Sequence, residues 1–522
     1  MGYMRRSIGF TSAFLLLFFL RIGSAQDPQS ADVPVIHATS NLVTLDITVL
    51  DDKERPVTKG LEQKDFTILE DKKAQSIFSF EGPDAHSVGA DADNSEGKAP
   101  TSIFVLDLLN EPAEDVAYYR YELDRYFKSL PAQLSAPAEL LALGNQSLEL
   151  LQGFTRDRDD LISALHRLPA SNPYKLTMTT FGAERVVQSI DAIQQIVVQN
   201  QGVTGRKNIF WLGEGGPTVS PIWLTGDAID KLRRYVHETA NMLVTDRITL
   251  FVYYPGLKAR VKTDGLVEGN LAGGNPFSSD VNFGAIVNET GGTMYYNRND
   301  IQGELGRSAL QGSQFYTLSY QPKDGVEDGK FRHIRVTVKN SAYHILTKAG
   351  YFASDGKVVE DPRRQQIVNL GAAARATIPL TGISLKISKI VRHPDAQTVE
   401  VSLLVPAGKL QWQPADPGTS RTSIRLVAAG FSGSPHPVVW KVEDFGLKTG
   451  TADPQQLAKG IVPVSFTVSL PAKLKRMRLL LEPGDQSQIG SLDLTRKDID
   501  AAPEQPSPAA PAPPKAAGTG AR

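Results

Sequence analysis

Between residues 101 and 311, short continuous apolar runs alternate with stretches of helical periodicity. No other feature limits the possible folds as much. Ile103-Phe104-Val105-Leu106, residues 208–212 and residues 248–254 read as strands buried on both faces. Shorter strands are expected at 140–143, 148–151 and 294–296. Between them, Val116, Tyr119, Leu123, Tyr126 and Phe127 recur at helical spacing over 112–130. Further helices are expected over 157–168, 186–198, 227–243 and 283–289. Strand and helix in this order indicate an α/β domain with a doubly wound sheet.

The flanks are different. Residues 36–82 hold alternating runs such as Leu42-Val43 through Val49, and Glu70-Asp71-Lys72-Lys73 reads as a hairpin turn. A segment that short rarely buries an adequate core alone. After a helix expected over 300–310, strands resume as a meander over 312–353. We therefore expect the meander to pair with 36–82 in one β-sandwich, with the α/β domain of 101–311 inserted between its halves. Residues 83–100, poor in large apolar groups, read as a linker, and 354–380 as a connector. Residues 381–496 carry about seven alternating apolar runs and predict a C-terminal all-β sandwich. Residues 501–522 hold six prolines and eight alanines and predict a disordered tail.

Residues 1–25 have the form of a secretory signal. Arg5 and Arg6 precede an apolar stretch over 8–20, and Gly23-Ser24-Ala25 offers a cut site. The alternative is an uncleaved anchor, although the run is short for a bilayer. No other segment reads as a membrane span. The expectation is export to the periplasm or the extracellular space. The formal charge of −1 becomes −4 once Arg5, Arg6 and Arg21 are removed. Such a balance argues against a nucleic-acid partner. The chain has no cysteine. Disulfides, thiolate metal sites and cysteine nucleophiles are thereby excluded.

Open α/β sheets bind ligands beyond the carboxyl ends of their strands. The first such end carries Asp107, Asn110 and Glu111, whose hard oxygens suit Mg²⁺ or Ca²⁺. The competing reading is helix capping by Asn110 or Glu111, with Pro112 in the first turn. Gly213-Glu214-Gly215-Gly216 follows a strand but lacks the Lys-Ser or Lys-Thr of a phosphate loop, so a turn is the simpler reading. His237-Glu238 lacks the second histidine of a zinc-protease helix, since Asn241 stands there. Gly430-Phe431-Ser432-Gly433-Ser434 is not a nucleophile elbow, because Ser434 replaces the last glycine.

The runs Thr101 to Asp107, Phe154-Thr155-Arg156-Asp157, Gly205-Arg206-Lys207-Asn208 through Leu212, and Thr290-Gly291-Gly292 with Tyr295-Tyr296-Asn297 resemble von Willebrand factor A-type domains. The likeness is greatest to the related proteins found widely in Acidobacteria. It extends to Asp65-Phe66-Thr67-Ile68-Leu69-Glu70-Asp71 on one side, and to Phe315-Tyr316-Thr317-Leu318-Ser319-Tyr320 and Lys348-Ala349-Gly350-Tyr351-Phe352 on the other. It covers residues 36–353 and not the C-terminal sandwich. The resemblance implies a von Willebrand A-like doubly wound sheet and a protein-binding role. Metal-binding members hold a divalent cation on an Asp-x-Ser-x-Ser motif, with a later Thr and Asp. Here the first Asp is Asp107, while Leu109 and Glu111 take the serine positions. The later Asp gives way around Glu214, and the Thr falls somewhere in 177–180. The motif is degenerate, and any cation would need a rearranged shell of Asp107, Asn110, Glu111 and Glu214.

The sequence thus predicts an exported, non-catalytic protein-interaction or adhesion protein. No cofactor is expected, with Mg²⁺ or Mn²⁺ at Asp107 and Asn110 as the alternative. A structural or assembly role in the cell envelope is the second reading.

Overall fold

The computed structural model describes residues 42–86, 99–145, 147–168, 182–201, 203, 205–216, 226–254, 283–296, 300–323, 330–353, 362–415, 417–434, 436–450, 453–484 and 488–506. The expected signal (1–25), the Thr region (177–180), most of the linker (87–98) and the end of the tail (507–522) lie outside them.

The chain opens with β1 (Val43–Leu50), β2 (Phe66–Glu70), β3 (Lys73–Gln75) and β4 (Ile77–Glu81). Asp71 and Lys72, with φ of 45° and 68°, make the two-residue hairpin between β2 and β3. Next come β5 (Thr101–Asp107), α1 (Ala113–Ser129), β6 (Gln133–Leu143), β7 (Leu148–Asp157), α2 (Arg158–Arg167), α3 (Gly182–Gln199) and β8 (Lys207–Leu212). They are followed by α4 (Gly226–Thr245), β9 (Ile248–Tyr254), α5 (Phe283–Glu289), β10 (Met294–Tyr296) and α6 (Ile301–Ser313). These strands form a six-stranded sheet in the order β10-β9-β8-β5-β6-β7. All neighbours are parallel except β6 and β7. Buried strands need apolar residues on both faces. Accordingly, Ile103 and Val105 join a core with α3, α4 and α5, while Phe104 and Leu106 join one with α1, α2 and α6. The strand order reverses about β5, so the carboxyl ends of β5 and β8 flank the crevice where ligands of such sheets bind.

The chain then returns to strands with β11 (Tyr316–Tyr320), β12 (Phe331–Val338), β13 (His344–Leu346) and β14 (Gly350–Phe352). β1 pairs with β11 and β13, and β11 with β4. β12 pairs with β14 and β2. Two four-stranded sheets result, β13-β1-β11-β4 and β14-β12-β2-β3. Leu45, Ile47, Phe66, Ile68, Tyr316, Leu318 and Val336 form their shared core. Each sheet therefore combines strands from before and after the α/β domain.

The remaining elements are α7 (Pro362–Arg375), β15 (Lys386–His393), β16 (Thr398–Pro406), β17 (Gln413–Pro414), β18 (Ser420–Phe431), β19 (Val439–Thr449), α8 (Pro454–Lys459), β20 (Ile461–Ser469), β21 (Arg476–Pro483), β22 (Gly490–Thr495) and α9 (Arg496–Asp500). A three-stranded sheet, β15-β16-β20, faces a five-stranded sheet built on β18, β21 and β22 across one apolar core. The other face of β18 is exposed at Arg421 and Ser423 but covered toward the strand's end. Val427, Ala429, Phe431 and Leu480 pack into the core under α3 and α4.

Three boundaries expected from the sequence need correction. The 354–380 connector contains α7, whose Ala372, Ala373 and Ala374 are buried between α3 and the C-terminal sheet. Buried Arg478 donates to the Ala376 and Ile378 carbonyls just beyond it. The linker begins later than residue 83, because His86 is buried and stacks on Phe315 with centroids 4.2 Å apart. The tail begins later than residue 501. The Gln505 N–H donates to the Arg392 carbonyl at 2.9 Å, and the Arg392 N–H donates to the Pro503 carbonyl at 2.9 Å. Backbone pairing supplies the ordering that proline-rich side chains do not.

Candidate functional site

The crevice between β5 and β8 holds all four of the residues singled out at the first strand end. Asp107 closes β5 and is 1 % exposed, and Asn110 and Glu111 are fully buried in the turn behind it. That turn is built on the Asp107 side chain. Oδ1 accepts from the Leu109 N–H (3.1 Å), the Asn110 N–H (3.0 Å) and Asn110 Nδ2 (3.1 Å). Oδ2 accepts from Asn110 Nδ2 (2.8 Å), Trp211 Nε1 (3.2 Å) and the Gly215 N–H (3.1 Å). Asn110 Nδ2 also donates to Ser189 Oγ at 3.0 Å. Glu111 Oε1 accepts from the Glu214 N–H at 2.6 Å. The loop after β8 is thus tied to the loop after β5 at two points.

The glycines let that loop come close. A Cβ on Gly213, where φ is 142°, would lie 2.4 Å from Asp107 Cβ. One on Gly215, where φ is 75°, would strike the Phe283 ring at 2.3 Å. Phe283 also packs on Trp211, with centroids 5.0 Å apart, which fixes the indole N–H toward Asp107. Only glycine allows this backbone to cover the carboxylate. Capping of α1 by Asn110 or Glu111 is not what the structure shows: Pro112 is the residue before the helix, and no side chain caps it.

Electrostatics follow from this packing. Burial pushes the Asp107 carboxyl above its ordinary 3.8, against opposing hydrogen bonds from Asn110, Trp211 and Gly215. The Tyr119 hydroxyl is buried without a hydrogen-bond partner, and burial together with Glu111, Asp115 and Asp107 pushes it well up.

A carboxylate offers about four lone-pair directions. Asp107 already accepts six hydrogen bonds from five N–H groups, and N–H groups repel a cation. Leu109, at a serine position of the family motif, sends its side chain into the apolar core and offers no oxygen. No group of three or more His, Asp or Glu side chains converges in a metal-holding arrangement among the described residues. The residues present do not fit a divalent cation at Asp107. A cavity of about 630 Å³ lies elsewhere, between α1, α6 and the far end of β5, lined by Phe104, Tyr126, Leu134 and Asn208.

The sequence reading missed Trp211, Gly215 and Ser189. It also missed a second buried charge cluster, where the α/β domain meets the first pair of sheets. Arg247 Nε and Nη2 grip the two oxygens of Asp46, the Nε bond measuring 3.0 Å, and the Thr317 hydroxyl donates to Asp46 Oδ1 at 2.9 Å. Arg206, 4 % exposed, donates to Thr48 Oγ1 at 3.2 Å and lies over the Phe315 ring. Burial works to raise the Asp46 carboxyl, and Arg247, Arg206 and Thr317 outweigh it and hold it below 3.8. Burial pulls the Arg206 guanidinium down to about 10. The signal available was two charged pairs, Arg206-Lys207 and Asp246-Arg247, each entering an apolar strand.

The class that the fold defines is a mixed α/β protein with a doubly wound sheet whose crevice sits at the switch point. No family model and no curated protein matches the chain. Among solved structures it is similar to the SpRpn10 VWA domain, at 15 % identity and a TM-score of 0.24, over 41 % of this chain and 97 % of that one. It is also similar to proximal thread matrix protein 1 from the mussel byssus. One crystal structure gives 9 % identity, a TM-score of 0.26 and coverage of 43 % of this chain and 49 % of that one. Crystal form 2 gives 11 %, 0.21, 30 % and 38 %. No helix among the described residues is long and apolar enough to cross a membrane.

Proposed function

We propose that this chain is an exported, non-catalytic protein-interaction protein, and that its contact surface is the β5–β8 crevice working without a cation. The observation that carries the reading is the Asp107 carboxylate, whose lone pairs are taken by Leu109, Asn110, Trp211 and Gly215. An arrangement so fully bonded is a rigid platform, not a reactive group awaiting substrate. Glu214 stands half-buried on the loop over it and is the natural first contact. The sequence supports export through residues 1–25. The alternative is an assembly component of the cell envelope, in which the crevice is only a structural joint.

A photo-reactive residue in place of Glu214, in the full chain expressed with its leader, tests the proposal. We expect a cross-linked protein adduct that forms equally with and without a chelator. An adduct abolished by the chelator would overturn the cation-free reading. The absence of any adduct would favour the structural joint. Titration calorimetry with Mg²⁺ and with Mn²⁺ should show no binding heat that depends on Asp107.

A further inference from the structure

β19 is a long strand at the margin of its sheet. Among the described strands it pairs only with β18. The eleven pairs from Ser420↔Thr449 to Gly430↔Val439 run without a register shift. Edge strands are usually blunted by proline, by a bulge, by shortness or by charge. β19 has no proline, no bulge and eleven residues, and its charges, Lys441, Glu443, Asp444 and Lys448, are of both signs. It also presents apolar side chains to solvent: Trp440 and Val442, with Val438 just before the strand, are exposed by 39 %, 43 % and 49 %. They alternate along the strand, so they share one face. That face is the one on which Val427 and Ala429, opposite Val442 and Trp440, pack inward. The apolar surface therefore continues from the covered sheet to its open margin.

We infer that β19 is the contact surface for a second copy of this chain, adding antiparallel to itself about a two-fold axis through Val442. The charges on the strand select the occupant and the register. With the axis at Val442, Lys441 of each copy faces Glu443 of the other, twice over. Val439 faces Phe445, and the two Val442 side chains meet on the axis. The exposed Trp440 of each copy then lies diagonal to Val442 of the other. Moving the axis one residue either way sets Lys441 on Lys441 or Glu443 on Glu443, which repel. An axis at Gly446 would match Asp444 to Lys448 but leave Trp440 and Val438 uncovered. Lys441 and Glu443 already lie side by side, 2.9 Å apart. Lys441 Nζ donates to the Thr467 carbonyl at 2.7 Å, which holds it on the facing side of the strand. The self-complementary order of charges distinguishes a second copy from an unrelated extended peptide, which need not share it.

Sedimentation velocity on the full chain, over a hundredfold range of concentration, tests this. The wild type should pass from monomer to dimer. Val442→Lys should stay monomeric throughout, because it sets two ammonium groups on the axis. Lys441→Glu and Glu443→Lys should each weaken dimerisation by about tenfold or more, and the double reversal should recover it. Melting curves establish that each variant is folded. A wild type that stays monomeric, or a folded Val442→Lys variant that dimerises like wild type, overturns the inference. Single reversals with no rescue by the double overturn the register.

Discussion

Two shielded aspartates in this molecule, Asp46 nearly buried and Asp107 fully so, are stabilised by opposite means. Asp46 is gripped by Arg247 and lies near Arg206, so charge meets charge. Asp107 is surrounded only by neutral donors: backbone N–H groups, an amide and an indole. The first carboxyl is held below its ordinary value and the second is pushed above it. Neutral donors satisfy the geometry of a buried carboxylate without repaying its full desolvation, whereas a guanidinium does repay it. Asp46 thus acts as a joint between the inserted domain and the sheets around it. Asp107 acts as a keystone within one crevice.

The contrast can be broken by substitution. The largest effect is expected for Asp46→Asn, which takes the shared carboxylate away from buried Arg206 and half-buried Arg247. It should cost about 3–5 kcal/mol in urea unfolding at neutral pH. The Asp46 carboxyl has a lowered folded value, so its stabilisation is full above 3.8 and is lost as pH falls through that lower value. In the Asn variant this acid-side loss should disappear.

A third carboxyl sharpens the rule. Glu139, fully buried on β6, accepts from Gln199 Nε2 at 3.1 Å and has no cationic partner among the described residues. Burial pushes it up to about 8, against opposing hydrogen bonds from Gln199 and Asn200. A raised acid favours the fold below its ordinary value of 4.5, and that stability is lost as pH rises through about 8. Glu139→Gln should therefore flatten the fall in stability between these limits. The gap from wild type should be widest above pH 8. A wild type whose melting temperature is level from pH 5 to 9 would refute the neutral-donor argument.

The smallest effect belongs to Asp107→Asn. One oxygen becomes an NH₂ facing existing donors, at a cost of about 1–3 kcal/mol in the same urea assay. If this variant proved less stable than Asp46→Asn, the ranking of charged over neutral support would be wrong.

Much of this was legible in the chain, for definite reasons. The strand carrying Asp107 showed as an unbroken apolar run because both of its faces are buried. The turn after it showed through Asp107, Asn110 and Glu111. What was hidden came from distant residues. Trp211 and Gly215 reach Asp107 from 104 and 108 positions away, and nothing local marks an indole N–H as a carboxylate ligand. The glycine run after β8 read as an ordinary turn, yet its positive φ angles serve close approach. α7 was missed because its buried face is alanine, which gives little apolar contrast while permitting tight packing. Asp46 was missed because it sits singly in an alternating strand, and its partner Arg247 is 201 residues away.

That separation bears on how the chain reaches its fold. Thr317 bonds Asp46 across 271 residues, and β1 has no strand partner nearer than β11. The first four strands must therefore wait, unpaired at their long-range edges, until the whole α/β insert has been made. Closing so long a loop adds little entropic penalty, since the cost grows only with the logarithm of length. The delay is kinetic. Contacts of this span are slow to form and leave strand edges exposed meanwhile. The insert, once compact, brings Ile301–Ser313 back toward the sheet and shortens the search for β11. Refolding should accordingly be limited by the docking of residues 43–81, not by the core of the α/β domain.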